Sequence, residues 1–135
     1  MPTRSFRDLH VWSQSVTLIS EVYRTTRSYP REEQFGLTAQ LRRAAVSIAA
    51  NIAEGYGRST RGEYLNQISV ARGSANEVEA LFAVSEELGI VQSAQLSEVR
   101  SRLDSTQRML TKLKAGLEAK SRTHNPRRPT LDARR

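Results

Sequence analysis

The fold of this chain is decided by residues 36–57, which read GLTAQLRRAAVSIAANIAEGYG. Apolar residues recur in this stretch at steps of three and four, a spacing that places them on one face of an α-helix. The sequence predicts a helix over residues 38–55, with Thr38 as its N-cap and with Gly55 and Gly57 ending it and turning the chain. Its small residues would let other helices approach on more than one side. The apolar face consists of Leu37, Leu41, Ala44, Ala45, Ile48 and Ile52.

Three further amphipathic helices are predicted, over about residues 8–28, 61–88 and 94–119. Pro30 ends the first of them, and Thr60 caps the start of the third helix of the chain. Gly73 lies inside that third helix, where we expect close contact with a neighbouring helix to compensate for its low helix propensity. The expected buried face of the first helix is Leu9, Trp12, Val16, Ile19, Tyr23 and Thr26. That of the last helix is Leu96, Val99, Leu103, Thr106, Leu110, Leu113 and Leu117.

Four helices joined by short connections, with no alternating β-pattern, predict an all-α fold. We expect an up-down-up-down antiparallel four-helix bundle that occupies residues 1–120 as one domain. Residues 121–135 contain two prolines, five arginines and little apolar content. Such a segment cannot bury enough apolar surface to offset its ordering entropy, so a basic disordered tail is predicted.

Composition limits the class of protein. The chain has no cysteine, which excludes disulfides and thiolate metal sites. It has no long apolar run and no signal-peptide core, so we expect a cytoplasmic protein with no membrane association. The net charge of +7 favours polyanion partners such as RNA or DNA. Residues 73–99, however, contain five Asp and Glu and no Lys or Arg, which also suits docking against a basic subunit or partner.

The chain resembles the family of four-helix bundle proteins encoded in intervening sequences of bacterial 23S rRNA genes. The resemblance covers about residues 6–118, and its strongest block is residues 40–55, QLRRAAVSIAANIAEG. One position departs from the pattern, because the family usually has a proline where this chain has Ala49. Further matches are Phe6-Arg7-Asp8-Leu9, Val11-Trp12, Val22-Tyr23, Tyr29-Pro30, Phe35-Gly36-Leu37-Thr38, Arg58, Arg72-Gly73-Ser74 and Leu88-Gly89.

The resemblance implies a bundle with a basic surface that assembles into a homo-oligomeric ring, commonly a pentamer. It also implies a role in binding RNA or DNA. A related group of proteins serves as an accessory factor to reverse transcriptase in diversity-generating retroelements, where it contacts both nucleic acid and the polymerase. A proline at the position of Ala49 would kink the second helix, so its replacement leaves that kink open.

Arginines supply the candidate contacts to nucleic-acid phosphates. Arg42 and Arg43 lie on the second helix and Arg58 and Arg61 follow it, and we expect all four at the same end of the bundle, as one patch. The alternative for Arg42 and Arg43 is ion pairing with acidic residues of the third helix. Tyr56 is the candidate for base stacking, because it is expected in a turn. The other aromatic residues fall mostly at core spacing: Trp12, Tyr23, Tyr29, Phe35, Tyr64 and Phe82.

The tail offers a second source of positive charge. Arg127 and Arg128 belong to residues 121–135, which carry no apolar pattern. Two interpretations stay open for them: an arm that binds nucleic acid nonspecifically, or a segment that only keeps the protein soluble.

Asn51 and Glu54 lie one helical turn apart and could in principle form a catalytic pair. No histidine or second acid lies near them in sequence, so we expect structural roles instead. Glu54 is predicted to pair with Arg58 at i,i+4, and Asn51 to cap or crosslink a neighbouring helix. The two histidines, His10 and His124, show no metal-binding spacing. We therefore predict no catalytic residue, no metal and no cofactor, and a protein that is not an enzyme.

Two functions remain open at this point. The first is a non-enzymatic RNA- or DNA-binding oligomer that contacts phosphates through basic residues. The second is a protein–protein scaffold or adaptor, such as a reverse-transcriptase accessory factor, that has no nucleic-acid specificity of its own and uses the acidic third helix as its docking face.

Overall fold

The structure, a computed structural model, describes the backbone of residues 5–124 and the side chains of residues 5–120. Within that range the chain forms no strand and four α-helices: α1 (His10–Thr26), α2 (Leu37–Tyr56), α3 (Arg61–Glu87) and α4 (Ser97–His124). Short 3-10 segments precede three of them, at Phe6–Asp8, Arg31–Glu33 and Ser93–Leu96. The predicted all-α class is confirmed. Because α4 runs to His124, the first four residues of the predicted tail are helical, and the rest of the tail lies outside the described residues.

The four helices surround one apolar core. α1 contacts α2 and α4, and α3 contacts the same two helices. Removing these apolar side chains from water is the main favourable term for folding. The largest fully buried apolar side chains are Phe82, Leu18, Leu41, Ile48, Ile52, Ile68, Leu96, Leu110, Val22, Val78 and Val99.

The buried face of α1 overlaps the predicted one only in part. Thr26 is buried as predicted, and Leu9, Trp12 and Ile19 are half-buried against the core. Val16 and Tyr23, which were expected inside, are 40% and 37% exposed. Ser15 is fully buried instead, and its hydroxyl is satisfied by donating a hydrogen bond of 2.6 Å to the carbonyl of Trp12. The buried residues of α1 are Val11, Ser15, Leu18, Val22 and Thr26.

The two predicted helix caps have different outcomes. Thr38 does not cap α2; the N-cap is Gly36, and the carboxylate of Glu33 accepts a hydrogen bond of 3.1 Å from the amide of Leu37. The side chain of Glu33 thus accepts a hydrogen bond from the first turn of α2, a role that the sequence had predicted for Thr38. At α3 the prediction is confirmed, because the Thr60 hydroxyl accepts from the amide of Glu63 at 3.1 Å.

Candidate nucleic-acid interface

The four predicted arginines do not form one patch. Arg42 and Arg43 lie in the second turn of α2, whereas Arg58 and Arg61 follow the end of that helix. Sixteen residues separate Arg42 from Arg58, and at the rise of an α-helix this corresponds to about 24 Å along the axis. The expectation that all four share one end of the bundle is therefore wrong. Because a helix is extended along its axis, residues near its two ends cannot converge on one surface.

Arg42 links α2 to α1. Its Nε donates to the hydroxyl of Thr26 at 2.9 Å, and its Nη2 donates to the carbonyl of Tyr23 at 3.3 Å. The guanidinium carbon also lies 4.4 Å from the centroid of the Tyr23 ring, a cation–π arrangement. The hydroxyl of Thr26 in turn donates to the carbonyl of Val22 at 2.8 Å. The alternative considered for Arg42, an ion pair with an acidic residue of α3, does not form among the described residues, because α1 supplies the partners of Arg42.

An exposed aromatic residue in the connection between α1 and α2 was missed by the sequence analysis. Phe35 is 87% exposed and lies between the 3-10 segment Arg31–Glu33 and the start of α2. Arg27, Arg31 and Arg43 are exposed in the same connection or in the helix that follows it. Phe35 was grouped with aromatic residues at core spacing, but it stands outside every helix and directly before Gly36. That position beside a turn residue is the signal that could have identified it.

At the other end of α2, Arg58 forms an ion pair with Glu54. Its Nη2 lies 2.6 Å from the carboxylate Oε2, and both side chains are substantially exposed. The predicted i,i+4 pair is therefore confirmed, although an exposed pair of this kind contributes little to stability. Arg61 is the first residue of α3 and is half-buried.

Tyr56 does not lie in the turn. It is the last residue of α2, is half-buried, and meets the ring of Tyr64 edge-on, with ring centroids 6.3 Å apart and an interplanar angle of 88°. Edge-to-face pairs of this kind stabilise the contact between two helices. The ring of Tyr56 is thus engaged with α3, and Phe35 is the more exposed of the two aromatic residues.

Gly55 is required by close packing rather than by a turn. It lies inside α2 and is buried, and a Cβ at this position would come within 2.9 Å of Cβ of Gln67 and of Cδ1 of Tyr64 on α3. Gly57 is the C-cap of α2, with a φ of −83° that any residue can adopt. The predicted turn role is therefore wrong for Gly55, because the approach of α3 excludes a side chain there.

Asn51 takes part in a polar link between α2 and α3. Its amide nitrogen donates to the carbonyl of Ser47 at 2.8 Å and to the Ser47 hydroxyl at 3.0 Å. That hydroxyl lies 2.9 Å from the hydroxyl of Ser74 on α3. Both hydrogen bonds of Asn51 stay within α2, so the contact with α3 is made by Ser47 and the predicted crosslink from Asn51 itself is not observed.

Gly73 lies beside this link but has a different environment from the expected one. It is exposed, and a Cβ at this position would have nothing within 4 Å. The predicted compensation by close contact within the bundle is therefore wrong for Gly73. The close approach occurs instead at Gly55.

Two tyrosines have perturbed titration. Burial raises the pKa of Tyr29 above its usual 10.0. The phenol oxygen of Tyr29 has no hydrogen-bond partner among the described residues, and the nearby hydroxyl of Ser85 donates instead to the carbonyl of Leu81 at 2.8 Å. Burial also raises the pKa of Tyr64, and the nearby phenol of Tyr56 adds to the rise. Both residues are consequently neutral in the folded protein well into the alkaline range.

The described residues also bear on whether the protein could bind a metal ion or span a membrane. The side chains of residues 5–120 include no group of three or more His, Cys, Asp or Glu placed to hold a metal ion. No α-helix in the same range is both long and apolar enough to cross a membrane. Arg127 and Arg128, the predicted contacts in the tail, lie outside the described residues.

The family of the chain follows from comparison with known proteins. A family model described as 23S rRNA-intervening sequence protein matches residues 7–112, well over half of the chain. The chain belongs to this family. The resemblance noted from the sequence is thereby confirmed. Ala49, where family members usually have proline, is buried within an uninterrupted α2.

The fold has a counterpart among solved structures, whereas no curated protein matches the chain. The counterpart is a crystal structure of a protein of unknown function from the S23 ribosomal protein family of Bacteroides thetaiotaomicron VPI-5482. It superposes with a TM-score of 0.68 at 20% identity, over 77% of this chain and 97% of the other. At this level of identity the likeness concerns the fold alone.

Proposed function

We propose that this protein is a non-enzymatic, cytoplasmic RNA- or DNA-binding protein, built as a homo-oligomer of up-down-up-down antiparallel bundles. Binding comes mainly from phosphate contacts at one end of the bundle, with weak base preference. The observation that carries the proposal is the unequal distribution of charged residues between the two ends of the bundle. Which residues lie at each end depends on the relative direction of neighbouring helices.

The contacts between helices support an antiparallel arrangement. Ser47 and Ser74 face each other between α2 and α3, and so do Gly55 and Gln67, so residue numbers fall on one helix as they rise on the other. Two contacts between α3 and α4 follow the same order. Gln107 donates a hydrogen bond to Asn76, and Arg100 forms an ion pair with Glu86. In this arrangement three parts of the chain lie on the same side of the molecule. They are the start of α1, the connection between α2 and α3, and the end of α4.

We call that side the cationic end, made of residues 5–18, 47–74 and 111–124. It contains eight Lys and Arg against four Asp and Glu. The opposite end, residues 19–46 and 75–110, contains eight against nine. Residues 125–135 follow directly after α4 and add four arginines against one aspartate. A polyanion is therefore attracted to the cationic end, where Arg58, Arg61 and Lys112 lie.

The hydrogen bonds of Asn51 and Glu54 support the non-enzymatic part of the proposal. The amide of Asn51 is bonded to Ser47, and the carboxylate of Glu54 is paired with Arg58. Each therefore has a structural partner, and neither faces a proton relay among the described residues.

The outer face of α3 supports the homo-oligomer. Val70 and Val84 on α3 are 45% and 44% exposed, and Leu88, the C-cap of that helix, is 64% exposed. Gly73 is exposed on the same helix. Apolar side chains repeated along one exposed helix are typical of a surface that a partner covers. Family resemblance adds the ring, commonly of five subunits. Sedimentation velocity tests this directly: one species of about five subunits is expected, and a monomer at micromolar concentration contradicts it.

Binding is tested by fluorescence anisotropy with a structured RNA across a salt series. We compare the full chain with a version that ends at Lys120. A steep loss of affinity with salt, retained after truncation, is the expected result, because the cationic end includes folded residues. Binding lost with the tail places the activity in residues 121–135. Absence of binding by both versions at low salt contradicts the proposal.

The second candidate is a protein–protein adaptor, such as an accessory factor of a reverse transcriptase. It is favoured by residues 73–99, which have five acidic and no basic residues, together with exposed Leu88. Affinity for a protein that persists at high salt, with none for RNA or DNA, would select this function.

A further inference from the structure

A groove between the start of α1 and the last turns of α4 has an apolar floor. Its volume is about 370 Å3. Val11 and Leu117 are buried in its floor, and Met109 and Leu113 are half-buried beside them. Small-molecule clefts have volumes of about 300–1,000 Å3, so the groove is large enough to hold a small ligand.

The rim of the groove carries one sign of charge. His10, Lys112 and Lys120 line it, and no carboxylate does. Lys112 is exposed and forms no ion pair with any side chain in residues 5–120. The nearby ion pair of α4, between Lys114 and Glu118, involves residues outside the groove lining.

The groove also has unfilled space next to its glycine. Gly116 lines it, and a Cβ at this position would meet no atom within 4 Å. A glycine inside an exposed helix costs stability relative to alanine. Here it keeps the wall of the groove low, so that a ligand can lie against the backbone of α4.

We propose that this groove binds a single-chain amphiphile with an anionic head group, of the long-chain carboxylate class. The apolar floor contacts the chain, and the basic rim contacts the carboxylate. A nucleic-acid phosphate matches the rim but has nothing to fill the floor. A neutral or cationic amphiphile matches the floor but not the rim. The carboxylate class matches both.

The test uses the full-length protein and dodecanoate below its critical micelle concentration. Titration calorimetry measures binding and gives the affinity. Saturable binding of dodecanoate is expected. Gly116→Leu should weaken it about tenfold or more by occupying the groove. The matched control is Gly62→Leu, which also enters open space on an exposed helix but lies outside the groove and should bind as the wild type does.

Head-group selection is tested separately. Lys112→Glu should weaken dodecanoate binding severalfold, and dodecyltrimethylammonium should bind the wild type far more weakly than dodecanoate. Equal binding of the two amphiphiles overturns the proposal, and so does Gly116→Leu with unchanged affinity. Tighter binding of an acidic amphipathic peptide that displaces dodecanoate assigns the groove to a protein partner and also overturns it. No nucleic acid enters these measurements, so their outcome is independent of the proposed function.

Discussion

The guanidinium carbon of Arg42 lies 4.4 Å from the centroid of the Tyr23 ring, and the same arginine donates a hydrogen bond to the carbonyl of Tyr23. Together with its bond to Thr26, this fastens the second turn of α2 to the last turn of α1. Arg43, the next residue, is exposed and has no such contact. Two adjacent arginines with the same predicted role therefore have different structural environments.

Arg42→Ala should lower the free energy of unfolding by about 1–2 kcal/mol, because it removes a cation–π contact and two hydrogen bonds to α1. Arg43→Ala is the matched control and should change that free energy by less than about 0.5 kcal/mol. Urea unfolding followed by circular dichroism measures both. Equal stabilities of the two variants would show that the contacts of Arg42 contribute nothing.

Gly55→Ala should destabilise the protein by about 1–3 kcal/mol, although alanine is the better helix former. The added Cβ meets the Tyr64 ring and Gln67 at 2.9 Å, so α2 and α3 must separate. Gly116→Ala makes the same chemical change in open space inside α4 and should stabilise by about 0.5–1 kcal/mol. Thermal unfolding of both variants decides the point. A gain in stability for Gly55→Ala would contradict the prediction, because it would show that α3 can move to make room for the added methyl group at little cost.

Arg61→Ala should weaken RNA binding and reduce the slope of log affinity against log salt by about 1, as expected for one lost phosphate contact. Arg43→Ala, at the opposite end of the bundle, should leave that slope unchanged. Fluorescence anisotropy across the salt series provides the measurement. The reverse pattern would move the binding surface to the connection that contains Phe35.

Glu54→Gln should strengthen RNA binding a fewfold, because it frees the guanidinium of Arg58 from its partner at 2.6 Å. It also removes a negative charge from the cationic end. Glu87→Gln removes the same charge from an exposed site at the opposite end and serves as the control. Equal effects of the two variants would show that only the net charge of the protein matters.

Stability should fall as the pH rises above about 10, because burial raises the pKa of Tyr29 and Tyr64 above 10.0. In the unfolded chain both phenols ionise near that pH, whereas the folded protein keeps their protons. The contribution of the neutral phenols is complete below pH 10 and is lost as the pH passes through the raised pKa values. Tyr29→Phe should make this decline shallower. Urea midpoints between about pH 8 and pH 11 test it, and an unchanged decline would contradict the assignment to Tyr29.

The helical class and the face of α4 could be predicted from sequence because they depend on local periodicity. Leu103, Thr106 and Leu110 are buried as predicted, since they repeat at steps of three and four. In α1 the same reasoning chose Val16 and passed over Ser15. A serine looks polar in a sequence, but once its hydroxyl bonds to a helix carbonyl it can occupy the core.

The candidate site was less predictable, because it depends on which segments meet. The sequence identified the ion pair of Glu54 and Arg58, whose partners lie one turn apart on a helix. The sequence analysis placed Tyr56 in a turn, whereas its ring packs on Tyr64. It grouped Phe35 with the residues at core spacing, whereas Phe35 is exposed. Exposure of an aromatic residue is a property of the folded surface, and spacing along the chain does not determine it.

By itself the sequence determined that this protein is all-α and that it resembles the 23S rRNA intervening-sequence proteins. It predicted helices over about residues 8–28, 38–55, 61–88 and 94–119, and the last of them extends to His124 in the structure. These properties follow from short-range periodicity and from a long block of matching residues. Only the tertiary structure decided that Arg42 is bonded to α1, that Gly55 receives α3, and that an apolar groove opens beside Gly116. Each of these depends on contacts between residues distant in sequence, and such contacts are set by the packing of whole helices.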